Sequence, residues 1–345
     1  MSERLRLSVL DQSPVPEGST GADALRNTLD LAALADDLGY HRYWLAEHHG
    51  GVALAGPSPE VLIGLVAEAT RRLRVGSGGV MLPHYSPLKV AETFSVLSAL
   101  FPGRIDLGIG RAPGSDPLTA FALQRDRRQA APDDFPEQLA ELLALLEEDV
   151  PASHPFARLG RLPGAPHAPE PWLLGSSLQS ALWAGELGLP YAFADFINPE
   201  GAAIAARYRE RFEPGRRLPA PQTAVSVFAI VAEDGREARR LAASSRMTFT
   251  LLRRGRLIPV PPPDKALRFL RAEGLEDGAG GRRGVVGDPD SVRGELEAIA
   301  AEYGAEEVIV VTIVHDHGAR RRSYELLADA FGLRAPGARP HERVA

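Results

Sequence analysis

Three groups of polar residues have types and spacings suited to chemistry. The first is Glu47, His48 and His49. A histidine at a strand end suits proton transfer near neutral pH; a hydrogen-bonded structural histidine is the plain alternative. With His84 added, the group raises the question of a metal. Adjacent residues on an extended strand end point to opposite sides, and no HExxH or comparable ligand spacing accompanies them. No metal is expected. The second group is Ser176, Ser177 and Ser180 after Gly175, where a strand gives way to a helix. Free N–H groups and hydroxyls at a helix N-terminus suit a phosphate, although Ser176 or Ser177 could simply be an N-cap. The third is Arg111 in GIGRAPG, Gly108 to Gly114. Its spacing is not GxGxxG, and Pro113, Gly114 and Pro117 interrupt any immediate helix, so a dinucleotide fingerprint is rejected. Arg111 can offer its planar fork to an anionic ring or phosphate, or form a surface salt bridge.

These residues need a scaffold, and the apolar pattern supplies one. Leu5–Leu10 is a short apolar run suited to a buried strand, and HRYWLAE, LRVGSGGVML and GRIDLGIGR follow as strands two to four. Helical periods lie between them. One ends at Gly39, one opens at Ser58-Pro59 and one at Ser86-Pro87. Further helices are expected at 135–148, 176–187, 199–212 and from Asp234, with strands at 171–174, 189–194, 223–231 and 308–314. Eight strands with crossover helices point to an α/β TIM-type barrel, with an open doubly wound sheet as the alternative. In such a barrel the site lies at the C-terminal strand ends. There Asp11, Gln12 and Ser13 follow strand one, His48 follows strand two, and Gly78 and Gly79 lie in strand three. Arg111, the serines, Asp195 and Asn198 follow later strands.

The pattern breaks at 253–284, with Pro259, Pro261, Pro262, Pro263 and a Gly-rich turn at 278–281, read as a long mobile loop. Residues 333–345 read as a frayed tail. The chain is expected to be a single domain over 1–345. Its 345 residues hold 44% hydrophobic and 24% charged side chains, which excludes a disordered chain or a fibre. No cysteine is present, so disulfides, zinc–thiolate sites, iron–sulfur clusters and a thiol nucleophile are excluded. A net charge of −6 argues against a nucleic-acid partner. The short arginine runs, Arg253, Arg254 and Arg256 and then Arg320 to Arg322, read as solvated surface. No long apolar run suggests a membrane span, and no signal peptide is evident, so a soluble cytoplasmic protein is expected.

Four segments together resemble the bacterial luciferase-like flavin monooxygenases, in the subgroup of oxidoreductases without light emission. They are YWLAEHHG (43–50), VGSGGVMLPHYSPLKVAE (75–92), PGRIDLGIGRAPG (102–114) and LGSSLQSALWAGELGLP (174–190). The resemblance implies a TIM barrel that takes reduced FMN from a separate reductase and uses O2 to oxygenate a small organic substrate. It implies that His48 assists proton transfer and that Gly78 and Gly79, joined by a cis peptide, lie against the flavin ring. It further implies that Arg111, Ser176, Ser177 and Ser180 hold the phosphate, that Asp11 and Ser13 stand near the ring or substrate, and that the protein is a homodimer. Where luciferase has a reactive cysteine this chain has Gly110, which argues against transferring luciferase activity; the aldehyde-binding residues have no clear counterparts either. An F420-dependent dehydrogenase of the same superfamily and a non-catalytic flavin-binding protein are the competing readings.

Overall fold

The computed structural model describes residues 5–111, 116–124, 126–129, 133–159, 161–275 and 284–333. Eight parallel strands close into a barrel. They are β1 (Arg6–Asp11), β2 (Arg42–Leu45), β3 (Arg74–Met81), β4 (Ile105–Gly110), β5 (Glu170–Gly175), β6 (Tyr191–Ala194), β7 (Thr223–Val231) and β9 (Glu307–Val311). Each pairs with its neighbour in chain order, β7 pairs with β9, and β9 pairs back to β1 through Arg6↔Glu307 to Val9↔Val310. The open-sheet alternative falls, because β6–β7 and β9–β1 leave no barrel edge.

The crossover helices are α1 (Gly21–Leu38), α2 (Pro59–Ala69), α3 (Pro87–Leu100), α4 (Pro117–Leu123), α5 (Phe135–Leu146), α6 (Leu178–Glu186), α7 (Ala202–Glu210), α8 (Gly235–Arg253), α9 (Pro263–Ala272), α10 (Pro289–Tyr303) and α11 (His317–Ala330). Local chemistry sets many of their ends. Thr20 and Asp23 form a capping box on α1, which stops at Gly39 with φ of 88°. Asp234, Asp288 and Asp316 cap α8, α10 and α11 through their side chains. Ser58 precedes α2 as expected but makes no capping bond; Pro59 at the first helical position opens that helix.

Strand alternation sorts the side chains into two layers. Leu7, Val9, Tyr43, Leu45, Val75 and Leu107 face the helices in the main core. Leu10, Trp44, Trp172, Ala192, Ile309 and Phe228 fill the barrel interior. The N-terminal end of that interior is ionic. Arg42 donates to both oxygens of Glu307 at 3.1 Å and to Asp106 at 2.8 Å, while Ser8 donates to Glu307. This network closes the barrel floor, so a ligand must enter from the opposite end.

The 253–284 stretch departs from expectation. It contains α9, whose buried Ala266 and Leu270 pack on Ala243, Met247 and Leu251 of α8. A ninth strand, β8 (Gly284–Gly287), extends β7. The proline cluster that reads as loop instead ends in Pro263 at the first helical position. Ahead of it, Val260 donates to Val15 O and accepts from Glu17 N, both at 2.8 Å, and is buried in the interior cluster. The expected Gly278–Gly281 turn and tail residues 334–345 lie outside the described residues.

Candidate active site

His48 follows β2, one residue past Glu47. Its backbone N–H donates to Gly56 O at 3.2 Å. Its Nδ1 is buried and meets no protein partner. Burial, then the neighbouring His49, lowers its pKa to about 4, so the ring is neutral at physiological pH. The imidazole therefore offers an uncharged nitrogen. Glu47 beside it is buried and accepts from His49 Nε2 at 2.7 Å, Tyr85 OH at 2.8 Å and Met81 N at 3.0 Å. His49 and His84 meet edge to face, and among the described residues no group of three His, Asp or Glu is arranged to hold a metal ion.

The next strand carries the cis peptide Gly78–Gly79. Both positions exclude a side chain. A Cβ on Gly78 would collide with Leu10 Cδ1 and stand 3.1 Å from Trp44 Cβ; one on Gly79 would stand 2.7 Å from Gly108 O and 2.8 Å from Leu174 Cδ1. The Gly78–Gly79 backbone of β3 is thereby packed directly against Leu10, Trp44, Gly108 and Leu174. At Gly110 a Cβ would meet only Met81 Sδ, 3.5 Å away, and Val80 O, 3.7 Å away, which is ordinary contact distance.

Ser177, exposed, is the N-cap of α6 and accepts from Ser180 N at 3.3 Å. Ser180 is buried, and its hydroxyl is engaged by Ser177 O at 2.8 Å and Tyr191 OH at 2.9 Å. Ser176 is half-buried and its carbonyl accepts from Asn198 Nδ2 at 3.1 Å, tying the loops after β5 and β6. The N-capping alternative is therefore real for Ser177, and it leaves backbone N–H groups at the start of α6 open to an anion. Arg111 is exposed, pairs with Asp133 at 2.9 Å, and lies 5.6 Å from the Trp183 ring centroid on α6. The surface-salt-bridge alternative is thus what this structure contains, although exposed pairs of this kind are weak and exchangeable. Residues 112–115 lie outside the described residues, and Pro117, read as a helix breaker, is the first residue of α4.

Asp11 and Ser13 do not join this arrangement. Asp11 is fully buried in phase with Leu7 and Val9, on the helix-facing side of β1. Its carboxylate accepts from Arg320 at 2.7 Å, Tyr43 OH at 2.5 Å and Ser13 N at 2.7 Å. Burial would raise its pKa, but Arg320 and the hydrogen bonds outweigh it and hold the group ionised. Ser13, with φ of 48°, turns its hydroxyl to Thr28 of α1 at 2.9 Å. Both residues build the turn after β1. Arg320, read as solvated, is buried, because Asp11 and Thr312 O receive its guanidinium. The alternation of β1 was the available signal for Asp11; nothing local marks Arg320 apart from Arg321 and Arg322.

Val52, Leu118, Phe121, Leu178 and Ile197 are exposed apolar side chains on the segments after β2, β4, β5 and β6, and Leu257 is exposed between α8 and α9. Phe196, Phe228 and Phe249 meet as tilted ring pairs, with centroids 5.0 and 4.8 Å apart.

A family model described as luciferase-like monooxygenase matches residues 5–307. The chain is 42% identical over 330 residues to a luciferase-like monooxygenase of Escherichia coli (strain K12), covering 94% of this chain and 96% of the relative. It is 39% identical over 331 residues to the N-acetyl-S-alkylcysteine monooxygenase of Bacillus subtilis (strain 168), covering 94% and 98%. Among solved structures, apo-MsnO8 superposes with a TM-score of 0.88 at 43% identity, covering 96% of this chain and 98% of that one.

Proposed function

The chain belongs to the luciferase-like monooxygenase family, and from that membership we propose that it is an FMN-dependent monooxygenase. It would receive reduced FMN from a separate reductase and oxygenate a small, largely apolar organic substrate with O2. The observation that carries this reading is the buried Nδ1 of neutral His48, which no protein group meets. It lies next to a strand whose Gly78–Gly79 backbone carries no side chains. A buried polar atom without a protein partner is the state expected where a ligand or a catalytic role supplies that partner. The residues present fit a flavin mononucleotide: a bare backbone for a flat ring, and the N-terminus of α6 with Ser176, Ser177 and Arg111 for the phosphate.

When bound, reduced FMN supplies the electrons that activate O2 for oxygen transfer. The chain's own residues do the rest. His48 holds or accepts a proton at Nδ1. Leu118, Phe121 and Leu257, exposed apolar side chains, would favour an uncharged substrate face. Ser180 supports the loop from beneath through Tyr191. The chain is proposed to act as one barrel domain.

Titration of the purified protein with oxidised FMN, reduced FMN and F420, followed by oxygen, tests the reading. Tight binding of reduced FMN and substrate-dependent product after oxygen is expected. Binding of F420 alone would replace it by the dehydrogenase reading, and a tight flavin complex without product by a non-catalytic binder. Arg111→Leu is expected to weaken FMN roughly tenfold, the worth of one charge-assisted hydrogen bond at an exposed site, and to leave riboflavin, which lacks the phosphate, unaffected. Equal losses for both ligands in a fluorescence titration would remove Arg111 from the phosphate site.

A homodimer is part of the proposal. On the adjoining helices α2 and α3, Val61, Leu65, Val96 and Leu100 are 62, 52, 46 and 66% exposed. Large apolar side chains clustered on two packed helices mark a surface that another subunit covers. Leu65→Glu with Leu100→Glu is expected to convert a dimer into a folded monomer by sedimentation velocity. An unchanged sedimentation coefficient would place the interface elsewhere.

A further inference from the structure

Glu47 has no part in the chemistry above, yet it is a buried carboxylate that accepts three hydrogen bonds. It is 1% exposed. A carboxylate at that depth is costly unless it is hydrogen-bonded. Here Oε1 accepts from His49 Nε2 and Tyr85 OH, and Oε2 accepts from Met81 N. The donors come from both sides of the candidate site. His49 belongs to the loop after β2, whereas Met81 ends β3 two residues past Gly79, and Tyr85 follows the short 3-10 turn Leu82–His84. Tyr85 is itself fixed by its N–H to Leu82 O at 2.9 Å. Burial and the adjacent Glu47 push its phenol pKa up, so it remains a donor. The loop after β2 has few other ties close to His48: Ala46 N to Asp11 O at 2.9 Å and His48 N to Gly56 O at 3.2 Å.

We propose that Glu47 is a positioning residue, which holds the His48 backbone in register with the Gly78–Gly79 segment by fastening the loop after β2 to the end of β3. The inference rests on the reading of His48 as the working histidine. The charged or titratable groups around this tie are His48, His49, His84, Tyr85 and the half-buried Glu60, whose carboxyl pKa is raised by burial and then by Glu47.

The test compares Glu47→Ala, Glu47→Gln and Tyr85→Phe in the full-length chain. The first readout is the titration of His48 by NMR of histidine-labelled, flavin-free protein; the second is the division of effects between kcat and KM. In Glu47→Ala the loop loosens, water reaches His48, and its titration midpoint rises from about 4 toward the ordinary histidine value by about one pH unit or more. A displaced catalytic group costs ~10²-fold in kcat, with KM within about threefold. Glu47→Gln rescues both, because the amide oxygen accepts from Met81 N while the amide NH2 donates to Tyr85 and to a neutral His49. Tyr85→Phe removes one bond and lies between. Glu47→Ala with an unmoved His48 titration, or Glu47→Gln no better than Glu47→Ala, overturns the proposal. Should Glu47→Ala fail to fold, Tyr85→Phe decides: an unmoved titration and kcat within about twofold of the parent overturn it. Failure of the flavin reading is seen separately, as absence of FMN binding by the parent protein, and leaves the NMR result intact.

Discussion

His48→Gln is expected to lower turnover by ~10² to 10⁴-fold, the usual worth of one positioned proton-transfer group, while FMN affinity stays within about threefold. Glutamine keeps the volume and one hydrogen-bonding atom but cannot exchange a proton near neutral pH. Because the His48 pKa is lowered to about 4, the acid limb of kcat/KM should fall well below pH 6. A limb near 6.5 would mean that the ring is solvated in the working enzyme. Stability has a matching signature. Above about pH 6.5 both folded and unfolded chains carry neutral His48. As pH falls from 6.5 toward 4, the unfolded chain takes up a proton that the folded chain refuses, so stability declines with falling pH. At 1.36 kcal/mol per pH unit the full effect is about 3 kcal/mol, less what solvent at the partly exposed ring screens. Denaturant unfolding of the flavin-free protein from pH 7.5 to 4.5 should therefore show a shallower decline in His48→Gln. Parallel slopes would show that the histidine is not buried in solution.

The largest expected stability effect lies at Asp11. Asp11→Ala leaves the buried Arg320 guanidinium without its carboxylate, frees the Ser13 N–H and leaves the Tyr43 hydroxyl only Thr28 O to donate to. Removing one partner of a buried pair costs about 3–5 kcal/mol, a large share of a typical folding free energy. Adding Arg320→Leu should recover much of that loss, since the uncompensated charge goes with it. FMN affinity of the folded fraction should be unaffected. A variant as stable as the parent but with weakened FMN binding would return Asp11 to the ligand and contradict its place behind β1.

Several features could be read along the chain because their causes are local. Leu5–Leu10 and the 308–314 run became barrel strands because short β-rich apolar runs bury on both faces. Gly39 ended α1 because a left-handed residue closes a helix. The α9 helix was legible in principle: in DKALRFLRA the buried Ala266 and Leu270 stand one turn apart. Four nearby prolines concealed it, though Pro263 begins the helix instead of breaking it. Asp11 sits elsewhere than expected for another reason. Its position past an apolar strand suggested the mouth, whereas its phase with Leu7 and Val9 placed it on the helix side.

By itself, then, the amino-acid sequence determined the order of the eight barrel strands and most of their crossover helices, and supplied His48, the glycine pair and the serine turn at strand ends. Those properties follow from periods of two and 3.6 residues and from turn chemistry, which act over a few positions. Only the tertiary structure decided which of these groups is charged and which is occupied. His48 is neutral because the surrounding chain strips its water, and Asp11 is taken by an arginine 309 residues away. Desolvation and ion pairing depend on neighbours in space, and no spacing along the chain encodes who those neighbours are.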